Sequence, residues 1–309
     1  MEYYLDYCLP PLAILVFCLI LSLLGGRIPG ALNTPSKRAN QTTCAPAAQS
    51  LLNGLDGFNA AAHVLTAQII ALPLLLYGAY MTYLYFFPEN GHWSGVAILG
   101  AGMVGFEINR YFRLRNIRAG YRTARLVYQD KMVTSQALIP LMHTGYVIFH
   151  EVQYDGRTID HVLIGPKGVF AIQTHTHPRL PAAEAAKNVV RYDGRTLMFG
   201  EENEHAAIEG IEKIVEQLSE WLSEPLPEGI AVRPILALPG WTIKRTSVDG
   251  MPVVNPKQFG SLFQHISPRP LDPATVSIIS ERILGIYGQD TRTAGEPADN
   301  HAAAVPAGH

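Results

Sequence analysis

Between Val64 and Phe87 the chain runs for 24 residues without a charged side chain. A helix rises about 1.5 Å per residue, so a run of this length crosses a hydrocarbon core of roughly 30 Å. Such a segment predicts a membrane helix. Pro73 inside it is compatible with that reading, because neighbouring helices re-satisfy the freed backbone. Two further segments read the same way. Residues 7–25 contain Leu-Pro-Pro-Leu-Ala-Ile-Leu-Val-Phe-Cys-Leu-Ile-Leu-Ser-Leu-Leu behind the acidic, aromatic start Met-Glu-Tyr-Tyr-Leu-Asp-Tyr. A signal peptide needs a positive start, and Gly-Gly-Arg-Ile-Pro-Gly is a poor cleavage site. The segment therefore reads as an uncleaved span with its tyrosines at an interface. Residues 93–108 follow a Pro-Glu-Asn-Gly turn at 88–91. Gly95, Gly100, Gly102 and Gly105 give them a small-residue face for close helix packing. Glu107 and Arg110 are expected to snorkel from the end of this third span.

Charge then sets orientation. Arg110, Arg113, Arg115, Arg118, Arg122 and Arg125 follow, with no acid between Glu107 and Asp130. A basic run beside a membrane helix marks the cytoplasmic side; the same run suits nucleic-acid phosphates. The loop 27–62 carries Arg27, Lys37 and Arg38 against Asp56 alone, which also suits the cytoplasm. Three spans place the N-terminus outside and the remaining domain inside, in the manner of a bacterial inner-membrane protein. The Asn40 sequon then lies on the wrong side for glycosylation. The whole-chain net charge of −2 gives no overall basicity. Cys8, Cys18 and Cys44 have neither metal-ligand spacing nor the look of a disulfide framework.

From residue 109 the composition becomes that of a soluble α/β domain, expected to reach residue 288, with a disordered Ala/Pro/Gly-rich tail over 289–309. Residues 119–144 read as a helix ended by Pro140 and Gly145. Three strands are expected at Tyr146–Gln153, Ile159–Ile164 and Val169–His177, joined by Asp155-Gly156 and Gly165-Pro166-Lys167-Gly168. Asp193-Gly194 reads as a second use of the same turn chemistry. Glu201, Glu202 and Glu204 read as a solvated helix start, and a helix over 204–223 carries the expected buried stripe Ile208, Ile211, Ile214, Val215, Leu218, Trp221 and Leu222. Strands at 232–239 and 251–254, a short helical turn at 261–265 and a helix over 273–287 complete a mixed sheet flanked by helices. Trp241 reads as packing at a strand end, and His150 as structural.

The chemistry gathers on the second and third strands. If Gly165–Gly168 closes a hairpin, Ile164 faces Val169 and Asp160 faces Gln173. Strict alternation adds His175 and His177 to that face and turns His161 to the other. A one-residue slip would move every side chain.

Several segments carry a family resemblance: Gly145-Tyr-Val-Ile-Phe-His-Glu, Ile159-Asp-His-Val-Leu-Ile-Gly-Pro-Lys-Gly-Val-Phe-Ala-Ile, Tyr192-Asp-Gly-Arg-Thr-Leu-Met-Phe, Leu236-Ala-Leu-Pro-Gly-Trp and Val254-Asn-Pro-Lys. Through them the chain resembles the nuclease-related domain (NERD) family, from near Gly120 to about Lys257. The resemblance implies a restriction-endonuclease-like fold of the PD-(D/E)xK superfamily, DNA cleavage or processing, and a divalent cation, usually magnesium. It also implies site positions. The family's aspartate is Asp160; its second carboxylate falls on Gln173, its lysine on His175, and a helix glutamate on Ala124, with Asp130 or Glu151 nearby. That chemistry needs two carboxylates around a hard cation and a lysine beside the attacking water. Gln173 is neutral, and His175 is mostly neutral near pH 7.

Three readings remain open. In the first, the fold persists without efficient nuclease activity, needs no cofactor, and serves nucleic-acid binding or scaffolding with the membrane and DNA as partners. In the second, an atypical metal-dependent nuclease uses Asp160 as ligand, Gln173 to orient water and His175 in place of the lysine. Asp160, His175 and His177 would then hold zinc or manganese, which suit nitrogen ligands. In the third, the histidines are solvated strand-end residues.

Overall fold

The structure, a computed structural model, describes residues 48–87, 93–224 and 229–293. The expected span at 7–25, the turn at 88–91, residues 294–309 of the tail and all three cysteines lie outside them. The chain divides into two compact units, with the boundary between Tyr128 and Gln129.

The first unit is a helical hairpin. Helix α1 covers Gln49–Phe86 and helix α2 covers Trp93–Met142, of which the part up to Tyr128 belongs to this unit. Ala62, Ile69 and Leu114 form its buried centre, flanked by Leu65 and Ile117. Phe58 lies beneath Gly120, and Arg110 hydrogen-bonds Gln68. Position falls along α2 as it rises along α1, so the helices run antiparallel. The stretch Gly54–Tyr83 is the one helix among the described residues long and apolar enough to cross a membrane. Leu74, Leu75, Leu76, Tyr85 and Phe86 stand exposed on α1, whereas water would favour their burial. The third expected span, 93–108, forms the start of α2. Its apolar stretch is cut short by Glu107 and Arg110, and α2 continues unbroken to Met142, so the expected border at 108/109 falls inside one helix. Glu107 does not snorkel; it is 1% exposed.

The second unit is the α/β domain. Strands β1 (Val147–Tyr154), β2 (Arg157–Gly165) and β3 (Gly168–Thr174) form the expected meander. Strand β4 is Val189–Tyr192, β5 is Leu197–Phe199 and β6 is Glu202–Glu204, followed by helix α3, Ala206–Ser223. Then come β7 (Val232–Ala237), β8 (Thr242–Arg245), β9 (Val253–Val254), helix α4 (Phe259–His265) and helix α5 (Pro273–Thr293). The single expected sheet is two sheets, ordered β1-β2-β3-β7-β9 and β6-β5-β4-β8. The second was hidden because its strands are only three or four residues long. It is built on the Asp193-Gly194 turn, where Asp193 Oδ1 accepts from the N–H groups of Arg195 and Thr196 at 2.9 and 2.7 Å. Glu202 and Glu204 belong to strand β6, not to a helix start. Residues 289–293, expected in the tail, complete helix α5.

Two apolar cores flank the five-stranded sheet. Val162, Ile164, Val169 and Ala171 point into the core shared with α3 and α5, while Leu163, Phe170 and Ile172 point into the one shared with the end of α2 and with α4. That alternation follows from the pleat. It breaks at one end: Val152 and Ile159 join Phe149 and Val162 in the first core, an odd step along each strand. The break sits at Glu151, whose φ of 48° is left-handed and which is skipped between the pairs His150↔His161 and Val152↔Ile159.

Candidate functional site: a buried aspartate, a lysine and two histidines

Asp160 occupies this break in the pleat, where face assignment by counting fails. It is 1% exposed. Lys131 Nζ, reaching from α2, lies 2.6 Å from Asp160 Oδ1. The N–H of Thr174 donates to Asp160 Oδ2 at 2.8 Å. Gln173 turns toward the backbone: its Oε1 accepts from the N–H of Asp160 at 3.4 Å. Burial pushes the Asp160 carboxyl up from its ordinary range; Lys131 and the Thr174 N–H oppose that, and the nearby Glu151 adds to it.

Two other polar groups flank this pair. Asp130, beside Lys131, is 2% exposed and is bound by Arg179 at 2.7 Å. Burial raises its pKa and Arg179 opposes the rise. Ala124, the position onto which the family's glutamate falls, belongs to the first unit; of the two alternative acids, Glu151 is the one whose charge acts on Asp160, while Asp130 is engaged by Arg179. On the other side His150 Nδ1 and His161 Nδ1 approach to 2.7 Å. One must donate and the other accept, which two neutral rings can do and two imidazolium ions cannot.

Burial holds His161 well below the usual imidazole range, with His150 and Lys131 pushing the same way; burial lowers His150 as well, against Glu151. A group whose folded pKa is depressed below an unfolded value near 6.5 binds its proton on unfolding. Its stability contribution is full above that value and is lost as pH falls below it, at up to about 1.4 kcal/mol per pH unit for His161. Thermal unfolding followed from about pH 7.5 to about pH 5.5 should show the midpoint falling. His161→Phe should flatten that slope; an unchanged slope would refute the assignment.

The two histidines lie past the end of β3, which stops at Thr174 and not at His177. The N–H of His175 donates to Ala237 O at 2.9 Å, so the segment still follows β7. His175 Nε2 lies 3.0 Å from Glu204 Oε2, and His177 Nε2 lies 3.8 Å from Glu202 Oε2. The His177 ring stacks on Phe199 at 3.8 Å, and Trp241 meets both rings edge-on. The sequence reading put Asp160, His175 and His177 together. The structure brings the histidines to Glu204, and among the described residues Asp160 belongs to no group of three metal-capable side chains.

Lys131 and Glu204 are the residues the sequence reading missed. Lys131 carried a signal: it is the only lysine between Lys37 and Lys167. The buried stripe of α2, followed from Leu138 through Thr134 toward the N-terminus, reaches Asp130 and Lys131. Glu204 carried none, because β6 has no strand signature.

The basic run lies on α2 in the first unit. Arg113, Arg115 and Arg122 are exposed, while Arg110, Arg118 and Arg125 are half-buried. Arg110 also lies over the Phe106 ring, at 4.6 Å.

Magnesium would need anionic oxygens and room for its own waters. The positions carried over from the resemblance offer one carboxylate, already bound on both oxygens, an amide turned to the backbone and an imidazole facing Glu204. These residues do not fit a hard-cation centre.

Residues 128–239 match the family model of the nuclease-related domain, NERD. No curated protein and no solved structure matches the chain.

Proposed function

We propose, from the premise that residues 128–239 carry a nuclease-related domain, that this chain is a membrane-anchored member of that class which binds nucleic acid without efficient phosphodiester cleavage. One observation carries the reading: Lys131 and the Thr174 N–H hold both oxygens of Asp160. A cation that took Asp160 as ligand would have to displace Lys131 and the Thr174 N–H from a carboxylate engaged on both oxygens. At the position of the family's second carboxylate it would meet the neutral amide of Gln173.

The anchoring half of the proposal rests on the apolar stretch Gly54–Tyr83 and the exposed side chains around Leu74–Leu76. The runs at 7–25 and 93–108 add two spans, and the arginines after the third put the domain in the cytoplasm. Those arginines are also the binding surface, meeting phosphates near the inner leaflet.

Fluorescence anisotropy of the detergent-solubilised full chain with a labelled DNA duplex tests the binding. Affinity should fall with log salt at about 0.9 per phosphate contacted. Arg113→Glu, Arg115→Glu and Arg122→Glu together should weaken binding at least about tenfold and flatten the salt slope. Binding that ignores these changes would overturn the nucleic-acid assignment. The second reading, an atypical nuclease using Asp160, Gln173 and His175, is favoured by none of the contacts these residues make.

A further inference from the structure

We infer that His175, His177 and Glu204 form a site for a divalent transition metal ion of the zinc class. The inference is independent of the cleavage question, since it uses neither Asp160 nor Lys131. Each of the three side chains offers one ligand atom, and these atoms lie within 4.8 Å of one another. Zinc bonds of about 2.0–2.2 Å at the tetrahedral angle put donors roughly 3.3–3.6 Å apart. His175 Nε2 and Glu204 Oε2 already stand at 3.0 Å, so small side-chain rotations suffice to seat an ion.

Donor chemistry selects the class of metal. Two imidazoles and one carboxylate suit zinc and its neighbours, whereas magnesium and calcium take oxygen. A histidine–glutamate hydrogen bond alone accounts for His175. It does not account for His177, whose ring is fixed against Phe199 and Trp241 with Nε2 on the side of Glu202. The protein has oriented both imidazoles before any ion arrives. Backbone support is equally specific: His175 is tied to β7 through Ala237 O, and Glu204 to β5 through its pairing with Leu197.

The ligands come from both sheets. His175 and His177 extend from β3 of the five-stranded sheet, and Glu204 ends β6 of the four-stranded one. A bound ion therefore clamps the two sheets together. With three protein ligands, the fourth position is left to solvent. Glu202, 80% exposed at its side chain, stays outside the inner sphere and favours the cation's approach by charge.

The test uses the full chain in detergent, free of any purification tag and stripped with a chelator. Zinc uptake is titrated against a chromophoric competitor, and cobalt is used as a spectroscopic probe of the ligand set. The wild-type chain should take up one zinc per chain and show the visible bands of a low-coordinate cobalt site. Glu204→Gln and His175→Asn should each weaken zinc at least about tenfold and abolish those bands. His150→Gln, outside the site, should leave both unchanged. Circular dichroism of the zinc-free variants separates lost ligation from lost folding, and Glu204→Gln, the conservative change, decides if His175→Asn does not fold. No zinc uptake by the wild type, or uptake equally strong in a folded Glu204→Gln chain, would overturn the inference.

Discussion

Lys131→Met is expected to cost the α/β domain about 3–5 kcal/mol at neutral pH, because it leaves the Asp160 carboxylate buried and without its cation. Asp160 is 0% exposed at its side chain and Lys131 16%. The aspartate therefore cannot reach water when its partner goes, while the lysine can shift outward. Asp160→Asn should consequently cost less than Lys131→Met, since its amide oxygen still accepts from Thr174 and the freed ammonium rehydrates. The double variant Lys131→Met, Asp160→Asn should recover much of the loss, as removing both charges of a buried pair often does. The pH dependence has a definite sign. Burial already raises the Asp160 pKa, and losing Lys131 takes away the charge that most opposes the rise. The folded variant can then take up a proton, so its deficit should shrink as pH falls. Denaturant unfolding of the four chains at neutral and mildly acidic pH checks all of this. A Lys131→Met loss below about 1 kcal/mol would mean that the pair is not a closed, buried contact.

Phe170→Ala is expected to cost about 3–5 kcal/mol. Phe170 is fully buried on the face of β3 that meets α4, with ring centroids 5.0 Å from Phe263 and 6.3 Å from Tyr146. The Arg233 guanidinium covers it at 4.2 Å. Deleting the ring leaves a cavity among side chains pinned from behind, because Lys167 Nζ donates to the carbonyls of Phe263 and Gln264 at 2.7 and 2.8 Å and holds α4 in place. Those anchors limit collapse into the hole, which keeps the cost near the upper range for such deletions. Thermal unfolding gives the value, and a loss below about 1 kcal/mol would show that this core repacks freely.

The meander was legible because its signals are local. Asp155-Gly156 and Gly165–Gly168 fix two turns, and the register Ile164↔Val169 follows from the second. Helix α3 was legible from its stripe: Ile208, Ile211, Val215, Leu218 and Leu222 are buried, while Ile214 and Trp221, at the stripe's edges, are partly buried against the same core. The second sheet was not, since β5 and β6 draw their stability from neighbours and not from their own composition. The site was legible in half. Counting along β2 and β3 placed Gln173 beside Asp160, and Gln173 does accept from the Asp160 N–H. Counting could not see the left-handed Glu151 that breaks the pleat opposite Asp160. Nor could it see Lys131, which enters from a helix far back in sequence. The two histidines left the strand before their expected end and found Glu204, a contact between segments that no periodicity links.

The most direct measurement of the central claim is cleavage of supercoiled and linear DNA by the purified full chain, beside Asp160→Ala, with magnesium and with manganese as cofactor. Wild type and variant are predicted to degrade both substrates at the same background rate with either ion. Brisk cutting by the wild type with magnesium alone, lost in Asp160→Ala, would contradict that claim.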